Sequence, residues 1–431
     1  MVGMLAPLVA VLVLGGFVVA AGQSVKDGRS LVQASVLFRH GDRSPTETFP
    51  NDVHQEDAWP QGFGFLSEIG IQQHHNLGEF FRKRYGKEGF GVLSEEFRRD
   101  ELYVRSTDTD RTLMSAEANL DRLYPDQPIP IHTVRTGLDP VSPTFSAMMT
   151  SRTKGLFQRH GLLRAFFLNC PRWTELMEED FNSDDFKQKE KDNKEFMAFV
   201  VKKAGWGEPH GIMDAWRTQD PLLCEKAHGM SWPAWVTADV YKRLTELTAY
   251  GSEINFRGDE KGRLMAGLLV NQIVSNMTTA QGEIQKNEKP YRLLVYSAHD
   301  IDISALLSAL DVYNVNDLSP PYAACVMVEL YRDPRGQFSV QILYRNDSSH
   351  EPYVLTIPGC DEFCPFDDFV ELNDEVILSP GKWRRACELP PITWLSGFLY
   401  GVFAASIVLL AVLYLMSHLR QPASSGDKKS Q

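Results

Sequence analysis

Positive charge is in short supply in this chain: 44 Lys and Arg stand against 56 Asp and Glu, a net charge of −12 over 431 residues. A surface of that sign repels nucleic acid and anionic lipid. No nucleic-acid partner is expected, and an anionic ligand has to be captured by a local arginine cluster. Cysteine is sparse too. The six, Cys170, Cys224, Cys325, Cys360, Cys364 and Cys387, have no histidine at ligand spacing, so neither a metal nor a cofactor is expected. Internal repeats and low-complexity stretches are absent, which leaves a globular domain rather than a solenoid.

Charge is also missing from both ends, and that sets the compartment. The apolar run Met4 to Ala20, followed by the small residues Ala20-Ala21-Gly22, reads as a signal peptide over 1–22, although no basic residue precedes the run. Ile392 to Met416 carries no charge, and its about 25 residues are enough to span the hydrocarbon layer with some tilt. Residues 417–431 then form a cytoplasmic tail, and the bulk of the chain is the luminal or extracellular part of a single-pass type I membrane protein. All six cysteines lie between signal and span, where an even count favours disulfides; Cys360 and Cys364 are spaced to close a local loop. The sequons Asn276-Met277-Thr278 and Asn346-Asp347-Ser348 suit the same compartment.

The densest chemistry is Arg39-His40-Gly41-Asp42-Arg43-Ser44-Pro45, directly after the apolar run Val32 to Phe38, which reads as a buried strand. A histidine there, between two arginines in fixed register, suits an imidazole that attacks a phosphate whose oxygens are held by planar guanidinium forks. Gly41 allows backbone to approach an anion and to take a dihedral that a Cβ would forbid. Tyr103-Val104-Arg105-Ser106-Thr107-Asp108 and Ser297-Ala298-His299-Asp300 again end apolar runs. Three strand ends that offer Arg, His and Asp imply an enzyme.

The rest of the pattern is α/β. Helical spacing runs from Leu66 to Tyr85, a helix ends at Leu123 before Pro125, and another amphipathic helix covers Asp259 to Asn276. Short strands fall at Glu101 to Val104 and Leu293 to Tyr296, and Ala324 to Tyr331 with Gln337 to Tyr344 reads as a hairpin around Asp333-Pro334-Arg335-Gly336. Between about 132 and 254 strand signals are scarce, which suggests a helical cap on an α/β core of about 30–131 and 255–388. The chemistry then sits outside the carboxyl ends of strands, where open α/β sheets bind ligands.

With these residues in view, the chain resembles the histidine acid phosphatase family, on the signature Arg39-His40-Gly41-x-Arg43-x-Pro45, Arg105 and the His299-Asp300 pair. The similarity runs from about Ser30 to Cys387, and the signal and span resemble the membrane-anchored lysosomal and testicular branch, the testicular type in particular. The resemblance implies a phosphoglycerate-mutase-like fold, with a mixed, mostly parallel sheet flanked by helices and a smaller helical cap. It implies hydrolysis of phosphate monoesters, with His40 as nucleophile, Arg39, Arg43, Arg105 and His299 on the phosphate, and Asp300 as proton donor. It implies disulfides Cys170–Cys387, Cys224–Cys325 and Cys360–Cys364. A buried His40 among arginines would stay neutral in acid, and a protonated Asp300 requires an acidic optimum.

Some features depart from that pattern. Arg159-His160-Gly161 repeats the tripeptide but lacks the second arginine and the proline, in a stretch (about 141–164) that the family does not lead one to expect. Ile301-Asp302 replaces small hydroxyl residues after the His-Asp pair, and Asp302 either caps a helix or adds negative charge to the site. His74, His75 and His228 read as solvated positions. Gly397-x3-Gly401 would let two spans pack as a homodimer, and the tail has no tyrosine-based sorting signal but ends in Lys428-Lys429-Ser430-Gln431, similar to a dilysine retrieval signal. The alternative function is a weak or inactive phosphate-binding membrane protein; a phosphoglycerate-mutase-like transferase fits less well, since Asp42 stands where such enzymes usually have Glu.

Overall fold

The computed structural model describes residues 28–133, 170–313, 319–389 and 406–407. The elements before the cap are β1 (Ser30–Arg39), α1 (Glu68–Tyr85), β2 (Leu102–Ser106) and α2 (Asp110–Leu123). The segment expected to form the cap is helical, with α3 (Pro171–Asn182), α4 (Asp184–Ala204), α5 (Ala215–Ala227) and α6 (Ala238–Ile254). The chain returns through α7 (Asp259–Gln285), β3 (Leu293–Ala298), α8 (Asp300–Ala309), β4 (Cys325–Arg332) and β5 (Phe338–Arg345). It closes with β6 (Tyr353–Leu355), β7 (Cys364–Pro365), α9 (Phe366–Leu372) and α10 (Pro380–Ala386).

One seven-stranded sheet organises the molecule, in the order β2-β3-β1-β4-β5-β6, with β7 also on β5. β1 is buried from Leu31 to Arg39 because both its faces are covered, which is why it reads as an unbroken apolar run. Val36 and Phe38 enter a core with Leu77 and Phe81 of α1, while Leu37 enters the opposite core with α7, α8 and the cap.

The expectation of a mostly parallel sheet is corrected. β1, β2 and β3 are mutually parallel, but β1–β4, β4–β5, β5–β6 and β5–β7 are antiparallel. Parallel neighbours need a crossover, which the helices between β1, β2 and β3 supply; α8 also separates β3 from β4, but β4 lies beside β1 and runs against it. β4 and β5 are joined by a tight turn in which Gly336 takes φ 88° and Asp333 Oδ1 accepts the Gln337 N–H at 2.8 Å. That connection permits only antiparallel pairing. The amphipathic helix expected over Asp259 to Asn276 runs on to Gln285.

Disulfides join Cys170 to Cys387 and Cys360 to Cys364. The third implied pairing, Cys224–Cys325, is not formed: both cysteines are free and buried. Cys325 opens β4 opposite Phe38 and faces the α1–α2 side of the sheet. Cys224 sits on α5 with its sulfur 3.7 Å from Arg43 Nη1. Of the sequons, Asn346 is exposed beyond β5, whereas Asn276 lies within α7 with Nδ2 donating to Tyr296 Oη at 3.2 Å.

Among the described residues no helix is long and apolar enough to cross a membrane. The expected signal peptide (1–22), the 141–164 stretch with His160, and the span and tail (392–431, apart from 406–407) lie outside the described residues.

Candidate active site

The β1–α1 connection is pinned before any site chemistry begins. Gly41 is not in the left-handed region, so the dihedral argument made from the sequence is corrected. A Cβ on Gly41 would instead meet the Gly70 carbonyl oxygen at 2.5 Å, and one on Gly70 would meet the Asp42 oxygen at 2.2 Å. The two glycines let the signature loop press against the first turn of α1.

His40 follows β1 and is 2 % exposed. Its Nδ1 lies 2.8 Å from the Gly41 oxygen. A ring nitrogen facing a carbonyl must be the N–H, so Nε2 carries the lone pair. Burial, then Arg111, Arg39, His299 and Arg43, hold the His40 pKa well below the ordinary histidine value. The imidazole is therefore neutral and nucleophilic even in acid.

Four groups predicted from the sequence meet around it. Arg39 Nη2 pairs with Asp300 Oδ2 at 2.9 Å, Arg39 Nη1 donates to the Pro320 oxygen at 2.5 Å, and the guanidinium lies 4.2 Å over the Tyr322 ring. Arg43 makes a two-pronged pair with Asp220, at 2.9 and 3.0 Å. His299 packs edge-on to His40, ring centres 5.4 Å apart, with Nε2 3.1 Å from Thr107 Oγ1. Asp300, the first residue of α8, has a one-third exposed side chain and also accepts the Ile301 N–H. Asp302 caps the helix, accepting the His299 N–H at 3.0 Å.

Arg111 joins the arginines read from the sequence, alongside Arg105. Arg105 is half-buried near the end of β2, in register with Tyr296, on whose hydroxyl its charge acts. Arg111, in the first turn of α2, is 7 % exposed and is the leading charge acting on His40. Sequence reasoning missed it, although a clue was present: a cation in a first helical turn opposes the macrodipole.

Two histidines set aside from the sequence also prove to be structural partners of the site. His74 is fully buried and donates Nε2–H to the Arg39 oxygen at 3.2 Å, and burial pushes its pKa down to about 3, keeping it neutral. His228 Nε2 meets Asp42 Oδ1 at 2.7 Å, where Ser67 Oγ also donates. His75 stays near the surface beside Asp121.

Among the described residues, the buried Nε–H groups of Arg39 and Arg43 have no acceptor. Unmade buried hydrogen bonds are costly, and an anion seated between them would satisfy both. A neutral imidazole beside three buried guanidiniums and one carboxyl is equipped for phosphoryl transfer.

Comparisons with known proteins agree. The sequence pattern of the histidine phosphatase superfamily (branch 2) matches residues 30–345. Prostatic acid phosphatase of Rattus norvegicus is 40% identical over 376 residues, covering 83% of this chain and 89% of that protein. Lysosomal acid phosphatase of Xenopus laevis is 36% identical over 420 residues, covering 92% and 88%. Among solved structures, the apo phytase of Hafnia alvei shares the fold, with a TM-score of 0.60 at 18% identity over 84% of this chain and 99% of that one.

Proposed function

Because the chain belongs to the histidine phosphatase superfamily (branch 2), we propose that it is an acid phosphatase, hydrolysing phosphate monoesters through a phosphohistidine on His40. The observation that carries this reading is the neutral His40, with Nε2 free to attack, amid Arg39, Arg43 and Arg111.

The phosphate oxygens lie on Arg39, Arg43, Arg111 and His299. The Nε2 lone pair forms the N–P bond as the ester P–O bond breaks, and Asp300 gives its proton to the departing oxygen. Water then attacks phosphorus, Asp300 takes the water proton, the N–P bond breaks and inorganic phosphate leaves. The Nδ1–H bond to the Gly41 oxygen supports the positive ring of the phosphohistidine. A substrate phosphate competes with Asp300 for Arg39, which releases the carboxylate Oδ2 to carry a proton.

Nothing in this grip reads the alcohol portion, so a range of monoesters is accepted. The disulfides Cys170–Cys387 and Cys360–Cys364 support an oxidising, extracytoplasmic compartment. A signal over 1–22 and a span over 392–416 would make the chain a type I membrane protein, with glycan carried at exposed Asn346.

The test is hydrolysis of an aryl phosphate by the full-length chain across pH. Turnover should peak on the acid side, vanish in His40→Ala and lose its acid-side maximum in Asp300→Asn. A folded wild type with no more turnover than His40→Ala would replace this reading with that of a phosphate-binding protein.

A further inference from the structure

Arg43 is gripped from the cap. Its two terminal nitrogens meet both oxygens of Asp220, a residue 177 positions away in sequence on α5. Both side chains are nearly buried, at 10% and 14% exposure, and Asp220 Oδ2 also accepts the Thr46 N–H at 3.5 Å. The next turns of α5 continue the contact. Cys224 Sγ lies 3.7 Å from Arg43 Nη1 and 3.8 Å from Tyr322 Oη, and His228, just past the helix, reaches Asp42. Positions 220, 224 and 228 fall on one helical face, so that face of α5 is given over to the loop after β1.

A carboxylate that takes both prongs of a guanidinium fixes its plane and direction. With Nη1 and Nη2 turned to Asp220, the buried Nε–H is the Arg43 donor left without an acceptor among the described residues. We propose that Asp220 is a positioning residue of the phosphate site, aiming Arg43 at the phosphate and cancelling one of the cradle's three guanidinium charges. This rests on the phosphatase reading above. Paired with Asp220, Arg43 can offer its Nε–H without adding net positive charge to the cradle, which suits a singly charged phosphate ester. The other titratable groups against Arg43 are Cys224 and Tyr322, both held protonated by burial, and the neutral His40.

The experiment compares full-length wild type with Asp220→Asn and Asp220→Glu, measuring kcat, KM, inhibition by inorganic phosphate and the pH profile. Asp220→Asn should lose about 10- to 100-fold in kcat, the effect of a misaimed binding group. Phosphate should nevertheless inhibit it more tightly than wild type, and its activity should extend about one pH unit toward neutral, because the extra positive charge tolerates a dianion. Asp220→Glu, which keeps the charge, should keep the wild-type pH profile. Wild-type kcat, phosphate inhibition and pH profile in Asp220→Asn would overturn the proposal. So would a fall in activity that only tracks the folded fraction while inhibition and pH profile stay unchanged. Should the wild type itself show no turnover, the phosphatase reading fails separately. Calorimetric titration with inorganic phosphate then decides, and equal affinity in wild type and Asp220→Asn rejects the role of Asp220.

Discussion

Arg84 and Arg39 are both buried against the central sheet, yet their surroundings differ in kind. Arg84 meets Glu329 through Nε at 2.8 Å and Nη2 at 2.7 Å, and Tyr85 and Tyr331 donate to the same carboxylate. Glu329 is 0 % exposed, and each of its carboxylate oxygens accepts two hydrogen bonds. The carboxyl end of β1 is left incomplete: Arg39 and Arg43 each meet one carboxylate, yet the Nε–H of both is unaccepted among the described residues. A closed buried pair fixes structure, whereas an open one reserves its donors for a ligand.

The largest expected effects separate these two roles. Arg84→Ala leaves Glu329 buried and uncompensated, which should cost about 3–5 kcal/mol of stability. Turnover per folded molecule should be unchanged. Arg111→Ala should reverse the pattern, lowering kcat/KM about 100- to 1000-fold through lost charge stabilisation of the transferring phosphoryl group. Its rate loss should persist per folded molecule, after correction for any change in stability. Denaturant unfolding and steady-state rates on the same samples decide the matter. The contrast breaks if the loss in Arg111→Ala only tracks the folded fraction.

The sequence made one of these regions legible and hid the other. Arg39, His40, Arg43, His299 and Asp300 could be read because they cluster at the ends of two apolar strands, and the β4–β5 hairpin could be read from its turn residues. Arg111 could not, because a charged residue in an amphipathic helix reads as solvated surface. Asp220, His228 and Glu329 escaped for another reason. Their partners lie 177, 186 and 245 positions away, beyond any local periodicity. His74 was misjudged because the buried side of α1 includes polar positions that a hydrophobic pattern skips.

Between the closed and open clusters lies a third kind of buried pair, held by a proton. Burial, then a hydrogen bond to Asp52 and the charge of that group, push the Glu225 carboxyl up to about 9. Neither Glu225 oxygen has a donor if both carboxyls are ionised, so one must carry a hydrogen for the two to bond. The folded value lies above the ordinary 4.5, so the native state binds the extra proton between those limits. Its stabilising contribution is full below about pH 4.5, declines as pH rises, and is gone above about 9. Urea midpoints should therefore fall from pH 5 to 9 in wild type and fall less steeply in Glu225→Gln, whose amide donates without titrating. Equal slopes for the two proteins would remove the proton from the account.

The smallest effect tests where the open cluster ends. On β2, Val104 and Ser106 are buried while Tyr103 and Arg105 take the half-exposed face, and the Arg105 backbone bridges to His132. A strand alternates its side chains, so Arg105 shares a face with Tyr103 rather than with Ser106, which is nearest the strand end. Arg111 reaches His40 because α2 starts just beyond that end and carries its first turn over the site. Arg105→Gln should accordingly lower kcat/KM less than Arg111→Ala does. Inhibition by phosphate should be unaltered. A loss as deep as that of Arg111→Ala would place both arginines on the phosphate. The cradle would then suit the dianion as well as the singly charged ester, and the acid optimum would rest on Asp300 alone.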